Sequence, residues 1–377
     1  MTIELRRVSD SAGQIKDRLR ELVEIETPTR DVEASRRIAM TLTAGLVAGG
    51  ADVRQVPSEN GVHLVADVPG EDRDHPLLLI GHSDTVWPAG TLAGAVPWAE
   101  DGDRIAGPGV FDMKNGLVCI EWALRLVRDE RRRAVRVIVS CDEEIGSATS
   151  TELVTSAARG CRAAIGFESP HPDGAFKLGR RGSSRAQIEV TGREAHAALN
   201  PEGGVSAINE LVDQLVRVRS IVAAAQAQAP VLCNVGTIAG GTRANVVPGH
   251  AEAEIGLRFV DGHSQDDVLA QLQALTPVRP GATVETRLLT SRPAWAANRA
   301  DTAWFEEIAD QAHALGEDLH ARPAAGAGDT NTVGALGTVP TIDGFGAVGG
   351  GAHAVDEHIS FHSLLERIEL LAALITA

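Results

Sequence analysis

The stretch Leu77-Leu78-Leu79-Ile80-Gly81-His82-Ser83-Asp84 constrains the fold more than any other part of the chain. Its apolar run is too short for a helix and stops at a glycine, which predicts a fully buried strand. The polar pair that follows then sits at the rim of a sheet, where α/β folds place their chemistry. Neutral imidazole is a common metal ligand, and its second ring nitrogen needs a partner to fix the tautomer. Asp84 is near enough to be that partner for His82. Read alone, the pair is better taken as a hydrogen-bonded structural element.

The pattern recurs. Val135–Ser140 is a second buried run and ends in Cys141-Asp142-Glu143-Glu144, and Ala163–Phe167 ends in Glu168. Between the Leu77 stretch and the second run, Gly107-Pro108-Gly109-Val110-Phe111-Asp112-Met113-Lys114-Asn115-Gly116 opens a helix with Leu117, Ile120, Leu124 and Val127 at helical spacing. Helices are predicted over Ser11–Ile25, Arg36–Val47 and Ser150–Ala158, a strand over Val62–Val68, and a loop or short hairpin over Thr91–Gly107. Alternating strands and helices imply parallel β units with right-handed crossovers.

The texture changes near Phe176. Strand patterns at Ser184–Val190, Val231–Ile238, Ala251–Phe259 and Ala282–Leu289 are interleaved with two helices. In the first, Val205, Ile208, Leu211, Val212, Leu215 and Val216 are read as one apolar side; the second covers Asp266–Leu275. This order suits a small α+β sandwich. The first texture resumes with a helix at Asp301–Leu315, a strand at Val339–Asp343 and a final helix bearing Leu364, Leu365, Ile368, Leu371 and Ile375. The expected fold is an α/β domain with a mostly parallel sheet core, residues 1–178 and 291–377, interrupted by an inserted α+β sandwich at 179–290.

A chain of 377 residues suits two such domains. Its net charge of −16 argues against nucleic acid or an anionic membrane as partner. There is no tyrosine, so no tyrosine acid or base can operate. Cys119, Cys141, Cys161 and Cys233 show no Cys-x-x-Cys spacing and read as neither a disulfide framework nor a zinc cage. The opening Met1-Thr2-Ile3-Glu4 lacks an apolar leader region, and no run approaches the roughly 18 apolar residues of a membrane span. A cytoplasmic location is expected.

His82, Asp112, Glu143, Glu144 and Glu168 thus fall just after predicted strands or at a glycine-rich turn, along one carboxyl edge. Singly, Asp112 reads as a helix cap, Glu143-Glu144 as a solvated loop and Glu168 as a surface turn. Together they would repel and raise one another's pKa unless a cation neutralised them. Nitrogen and oxygen donors of this kind suit zinc, manganese or cobalt.

Five segments in order resemble the motifs of the dizinc peptidase/aminoacylase family. They are Gly81-His82-Ser83-Asp84-Thr85-Val86, Gly107–Lys114, Asp142-Glu143-Glu144-Ile145-Gly146-Ser147, Gly166-Phe167-Glu168 and Gly351-Ala352-His353-Ala354-Val355-Asp356-Glu357. The family includes glutamate carboxypeptidase, aminoacylase, acetylornithine deacetylase and succinyl-diaminopimelate desuccinylase, and the first is the nearest in pattern. The resemblance implies two zinc ions per chain, with cobalt or manganese as substitutes. Asp112 would bridge them, His82 and Glu168 would complete one ligand set, and Glu144 and His353 the other. It further implies that Asp84 orients His82, that Glu143 is the general base, and that the Asp112–Met113 peptide is cis. His353, 185 positions after Glu168, is assigned by the resemblance and not by spacing.

In the inserted domain, which the resemblance makes a dimerisation and lid domain, His196 would serve the partner subunit's site in a homodimer as an oxyanion donor. Asn245, Arg258 and Arg292 match substrate-contacting positions, and Arg180-Arg181 matches the desuccinylase branch. Gly328-Asp329-Thr330-Asn331 and Ala354 depart from the usual pattern on the substrate side. The implied activity is hydrolysis of the amide bond of a small N-acyl amino acid or peptide, with release of a glutamate-like residue; the alternative is a deacylase of the acetylornithine or desuccinylase type. A binding protein that merely kept the fold would need neither Glu143 nor a complete ligand set.

Overall fold

The computed structural model describes residues 6–376; the opening segment, on which the absence of a leader was read, lies outside them. The chain forms two compact units. Unit 1 takes the residues up to Gly179 together with Ala297–Ala324 and Gly328–Ala377, and unit 2 takes Arg180–Ala296 with Ala325–Ala327.

After a short helical turn at Arg6–Asp10, unit 1 has helices α1 (Ala12–Glu24) and α2 (Val32–Ala48), then strands β1 (Asp52–Ser58), β2 (Gly61–Val68) and β3 (Leu77–His82). Helix α3 (Asn115–Leu126), strand β4 (Val135–Ser140), helix α4 (Thr151–Ala158) and strand β5 (Ala163–Gly166) follow. Unit 2 contributes β6 (Gly182–Thr191), α5 (Ala207–Gln226), β7 (Val231–Gly240), β8 (His250–Phe259), α6 (Gly262–Gln273) and β9 (Thr283–Arg292). The chain returns to unit 1 for α7 (Arg299–Leu315), β10 (Thr341–Ile342) and α8 (Phe361–Thr376).

The unit 1 sheet has the order β1-β2-β4-β3-β5-β10. Strands β4, β3, β5 and β10 are parallel, whereas β1 and β2 run antiparallel at one side. The sheet is therefore mostly parallel, as expected, with an antiparallel edge that the sequence did not reveal. Strand β1 is exposed or half-exposed along its length, so it has no apolar run to recognise. The Leu77–Ile80 run divides between two cores. Leu77 and Leu79 join the cluster that includes α3 and α8, and Leu78 and Ile80 join the one that includes α4. Each such burial is worth on the order of 1.5–3 kcal/mol, so the run pins the register that carries His82. Helix α3 is buried through Asn115–Leu124, which fixes the turn that precedes it.

Unit 2 is a four-stranded antiparallel sheet, β7-β8-β6-β9. Ala251, Ala253, Ile255, Leu257 and Phe259 alternate inward along β8, packing with Leu211, Val218 and Val222 of α5 and Val268 and Leu272 of α6. One expectation is corrected here. Val205 precedes α5, and the helix carries two apolar stripes, not one. Ala207, Leu211, Val218 and Val222 are buried, while Ile208, Val212 and Val216, four residues apart, face away and are exposed. Strand β9 runs to Arg292, so unit 2 reaches past residue 290 and includes that arginine.

Candidate metal centre

His82 ends β3 and is buried. Its backbone N–H faces Met113 Sδ at 3.2 Å, and a Cβ on the preceding Gly81 would lie 2.7 Å from Met113 Cε, so a larger residue there would push the methionine tip aside. His82 Nδ1 lies 3.0 Å from the Asp84 carbonyl oxygen, an acceptor, so Nδ1 carries the proton. In the neutral ring Nε2 then presents its lone pair to Asp112 Oδ1 at 3.2 Å and Glu168 Oε1 at 3.5 Å.

Asp112 leaves the helical path just before α3, with φ −121° and ψ 92°, and the Asp112–Met113 peptide is cis. Its second oxygen, Oδ2, is 3.3 Å from His353 Nε2, which is also 3.3 Å from Glu144 Oε2. Two donor groups result, His82-Asp112-Glu168 and Asp112-Glu144-His353, with the donor atoms of each within 4.8 Å of one another. Asp112 belongs to both, one oxygen toward each histidine. His353 has φ 61°, a left-handed conformation uncommon for a side chain with a Cβ. Glu143 is buried, its charge acts on His82, and it is a member of neither group.

The electrostatics follow from this crowding. Burial opposes the charged form of His82, but its bonds to Asp112, Asp84 and Glu168 outweigh this and push its pKa well above the usual range. Hydrogen bonds that protonated His353 donates to Asp112 and Glu144 raise its pKa to about 10. Burial resists ionisation of Asp112, yet the two histidines hold its carboxyl far below the carboxylate range. Glu144 is pushed upward by burial, and its Oε1 is buried with no hydrogen-bond partner among the described residues.

Asp84 reaches His82 through its main-chain oxygen, with its carboxylate Oδ1 3.5 Å from Nδ1. That carboxylate also accepts the backbone N–H groups of Glu143 at 3.1 Å and Glu144 at 3.2 Å, and the Thr29 hydroxyl at 2.8 Å. It therefore supports both sides of the cluster. Sequence reasoning assigned no role to Thr29, Asp329 or Glu357. Asp329 accepts the hydroxyls of Ser140, at 2.5 Å, and Ser147, flanking the Glu143-Glu144 turn. Glu357 accepts the backbone N–H groups that begin the Asp112 turn. The only sequence signal for Glu357 was its place four residues after His353. Lys114 is buried with Nζ donating to Ile25 O at 2.9 Å, and burial pulls its pKa down to about 7 against the opposing charges of Glu357 and Glu26.

The remaining expected site residues lie in unit 2 and form two groups. His196 pairs with Val246, and Ala197 N–H donates to Asn245 O at 3.0 Å, so His196 and Asn245 lie on two adjoining exposed segments. His196 Nδ1 accepts from Ala198 N at 3.2 Å and Leu199 N at 3.1 Å, which leaves Nε2 to carry the proton. Arg258 and Arg292 stand opposite Ser183 on its two neighbouring strands. Arg258 donates to Ser183 Oγ at 2.5 Å, Arg292 to Ala327 O at 3.3 Å, and Arg180 to Gly326 O at 2.9 Å.

Residues 78–377 match the model of peptidase family M20/M25/M40. The chain belongs to that family. As a member it is an amide-bond hydrolase of a metal-dependent family acting on small peptides or acylated amino acids. It is 29% identical to carboxypeptidase G2 of Pseudomonas sp. (strain RS-16), over 97% of this chain and 90% of that protein. It is 28% identical to succinyl-diaminopimelate desuccinylase of Gluconacetobacter diazotrophicus, over 88% of this chain and 89% of that one. Aminopeptidase PepT from Bacillus cereus shares the fold at a TM-score of 0.71 and 21% identity, covering 97% of this M20/M25/M40 chain and 98% of the other. No helix among the described residues is long and apolar enough to cross a membrane.

Proposed function

We propose that the chain is a dinuclear zinc hydrolase that releases a glutamate-like amino acid from an N-acyl or peptide substrate. The observation that carries this reading is the pair of donor groups sharing Asp112. The residues fit two cations on their own chemistry. With His82 neutral, its Nε2 lone pair and those of Asp112 and Glu168 converge on one space, and Glu144 Oε1 is buried beside the other with nothing to accept from. Such a cluster needs either bound protons or cations. His82, Asp112 and Glu168 would hold one ion, and Asp112, Glu144 and His353 the other; cobalt or manganese suits the same donors. Bound there, the ions supply Lewis acidity that polarises a carbonyl and acidifies water.

The protein's own groups do the rest. Glu143, held by its backbone to Asp84, takes the proton from the attacking water and delivers it to the nitrogen of the leaving amine. His196 donates through Nε2 to the developing oxyanion in the partner subunit of a homodimer. Arg258 and Arg292, on either side of Ser183, offer guanidinium groups for a substrate carboxylate. Ala244 and Val246, the sequence neighbours of Asn245, line a cavity of about 510 Å³ together with Ser206, Asn209 and Arg243. Free thiols at all four cysteines support a reducing, cytoplasmic setting.

The likeness to carboxypeptidase G2 along 97% of the chain favours the glutamate-releasing reading. The likeness to a desuccinylase, together with Arg180-Arg181, favours N-acyl amino acid deacylation as the second reading. Metal analysis and a substrate panel decide between them. Protein purified without chelator should hold close to two divalent ions and turn over peptides and N-acyl compounds ending in glutamate faster than N-acetyl or N-succinyl diamino acids. The reverse order installs the second reading. Full activity in the demetallated protein overturns both.

A further inference from the structure

Glu357 is fully buried and accepts four N–H groups. Oε1 takes Phe111 N at 2.9 Å and Asp112 N at 3.0 Å; Oε2 takes Gly109 N at 2.9 Å and the indole Nε1 of Trp87 at 2.6 Å. An ionised carboxylate is acceptor-only, and four donors fill its lone-pair sites. Bonds to a charged acceptor are roughly twice as strong as neutral ones. The first three donors belong to the turn that aims the Asp112 side chain. They precede helix α3, so the helix offers them no carbonyl partner.

The other end of the same residue constrains His353. Glu357 N–H donates to Ala354 O at 3.0 Å, and Ala354 N–H to Gly351 O at 2.8 Å, which closes the loop around His353. Gly351 has φ 75°, and a Cβ there would lie 2.7 Å from Glu357 N, so the loop packs directly on the Glu357 backbone. Its side chain fixes Asp112 while its main chain fixes His353. These two donors are 3.3 Å apart in space although Asp112 and Glu357 are separated by 245 positions in sequence.

We propose that Glu357 is a positioning residue of the metal centre, locking the Asp112 turn and the His353 loop into a single arrangement of donors. The inference rests on the dinuclear reading above. It requires the carboxylate, because an amide of the same size would turn an –NH₂ toward N–H donors.

The test is metal affinity, with cobalt(II) as the probe. Wild-type protein stripped of metal is titrated first; uptake of fewer than two ions defeats the dinuclear reading whatever Glu357 does. Dissociation constants are then measured by chelator competition for Glu357→Gln, with thermal unfolding of the metal-free form as the check on folding. The expected result is a loss of about 10–100-fold in affinity, the range for groups that hold metal ligands in place, with an altered visible spectrum of the bound cobalt. Trp87→Phe removes one donor and leaves the carboxylate, and should give a smaller loss in the same direction. A folded Glu357→Gln protein with wild-type affinity and spectrum overturns the proposal. If that variant does not fold, unchanged affinity and spectrum in Trp87→Phe overturn it instead.

Discussion

Glu143 and Glu144 leave the same strand, both through backbone N–H groups held by Asp84, yet their side chains meet different surroundings. Glu144 faces His353 and is part of a donor group, whereas Glu143 is buried and belongs to neither group. Two mutations should therefore give opposite signatures. Glu143→Ala should keep both ions and the fold while turnover falls by about 10²–10⁴-fold, the usual cost of a lost acid–base group. Glu144→Ala should lose or weaken one ion. Metal analysis beside kinetics reads the two apart, and near-normal turnover in Glu143→Ala would move the base to another residue. What the sequence displays at this scale is the residue that ends a strand. Glu357, Asp329 and Thr29 act by bonding to main chain or to hydroxyls far away in sequence, and no local pattern marks that.

At the level of elements, legibility tracked burial. Strands β3, β4 and β5 are inside, so their apolar runs announced them and placed His82, Glu143-Glu144 and Glu168 at their ends. Strand β1 is exposed, and the strand pair β1–β2 was only half legible for that reason. Strand β2 nevertheless contributes a buried histidine that ties it to the turn after β4. His63 Nδ1 accepts from Cys141 N at 3.2 Å, so Nε2 carries the proton and donates to Thr149 Oγ1 at 3.0 Å. The Thr149 hydroxyl in turn donates to Asp142 Oδ2 at 2.7 Å. Burial, partly countered by Asp142, Asp329 and Asp84, lowers the His63 pKa below its ordinary 6.5. Below pH 6.5 the unfolded chain then binds a proton at this site that the folded chain refuses, so stability rises with pH through that window. The contribution is complete above pH 6.5 and is lost as pH falls through the folded value. Denaturant unfolding of metal-free protein across pH 5–7.5 should show a shallower slope in His63→Asn than in wild type. Equal slopes would mean that another group carries the dependence.

For the whole molecule, the exposed stripe Ile208, Val212, Val216 on α5 is the feature that the sequence pattern merged with the buried residues into one apolar side. Val212 and Val216 are each 53% exposed, and the edge strand β7 adds Ile238 at 63%. An apolar helix stripe and an open strand edge in one unit invite association, since an uncovered edge templates pairing with another chain. The occupant we expect is a second copy, joined by a two-fold contact in which the same patch serves both subunits. Sedimentation should then give twice the 39.6 kDa chain mass, and Val212→Arg should shift it toward the monomer. The functional consequence is sharper. If His196 completes the partner's site while Glu143 works in its own, His196→Ala and Glu143→Ala proteins are each inactive alone. In a mixed dimer, however, the His196→Ala subunit keeps its own Glu143 and receives an intact His196 from the other chain. Free exchange in an equal mixture makes half the dimers mixed, each with one working site, so turnover should recover to about a quarter of wild type. Mass measurement on differently tagged subunits verifies the exchange. Verified exchange without recovery would place His196 in its own subunit's chemistry, or in none.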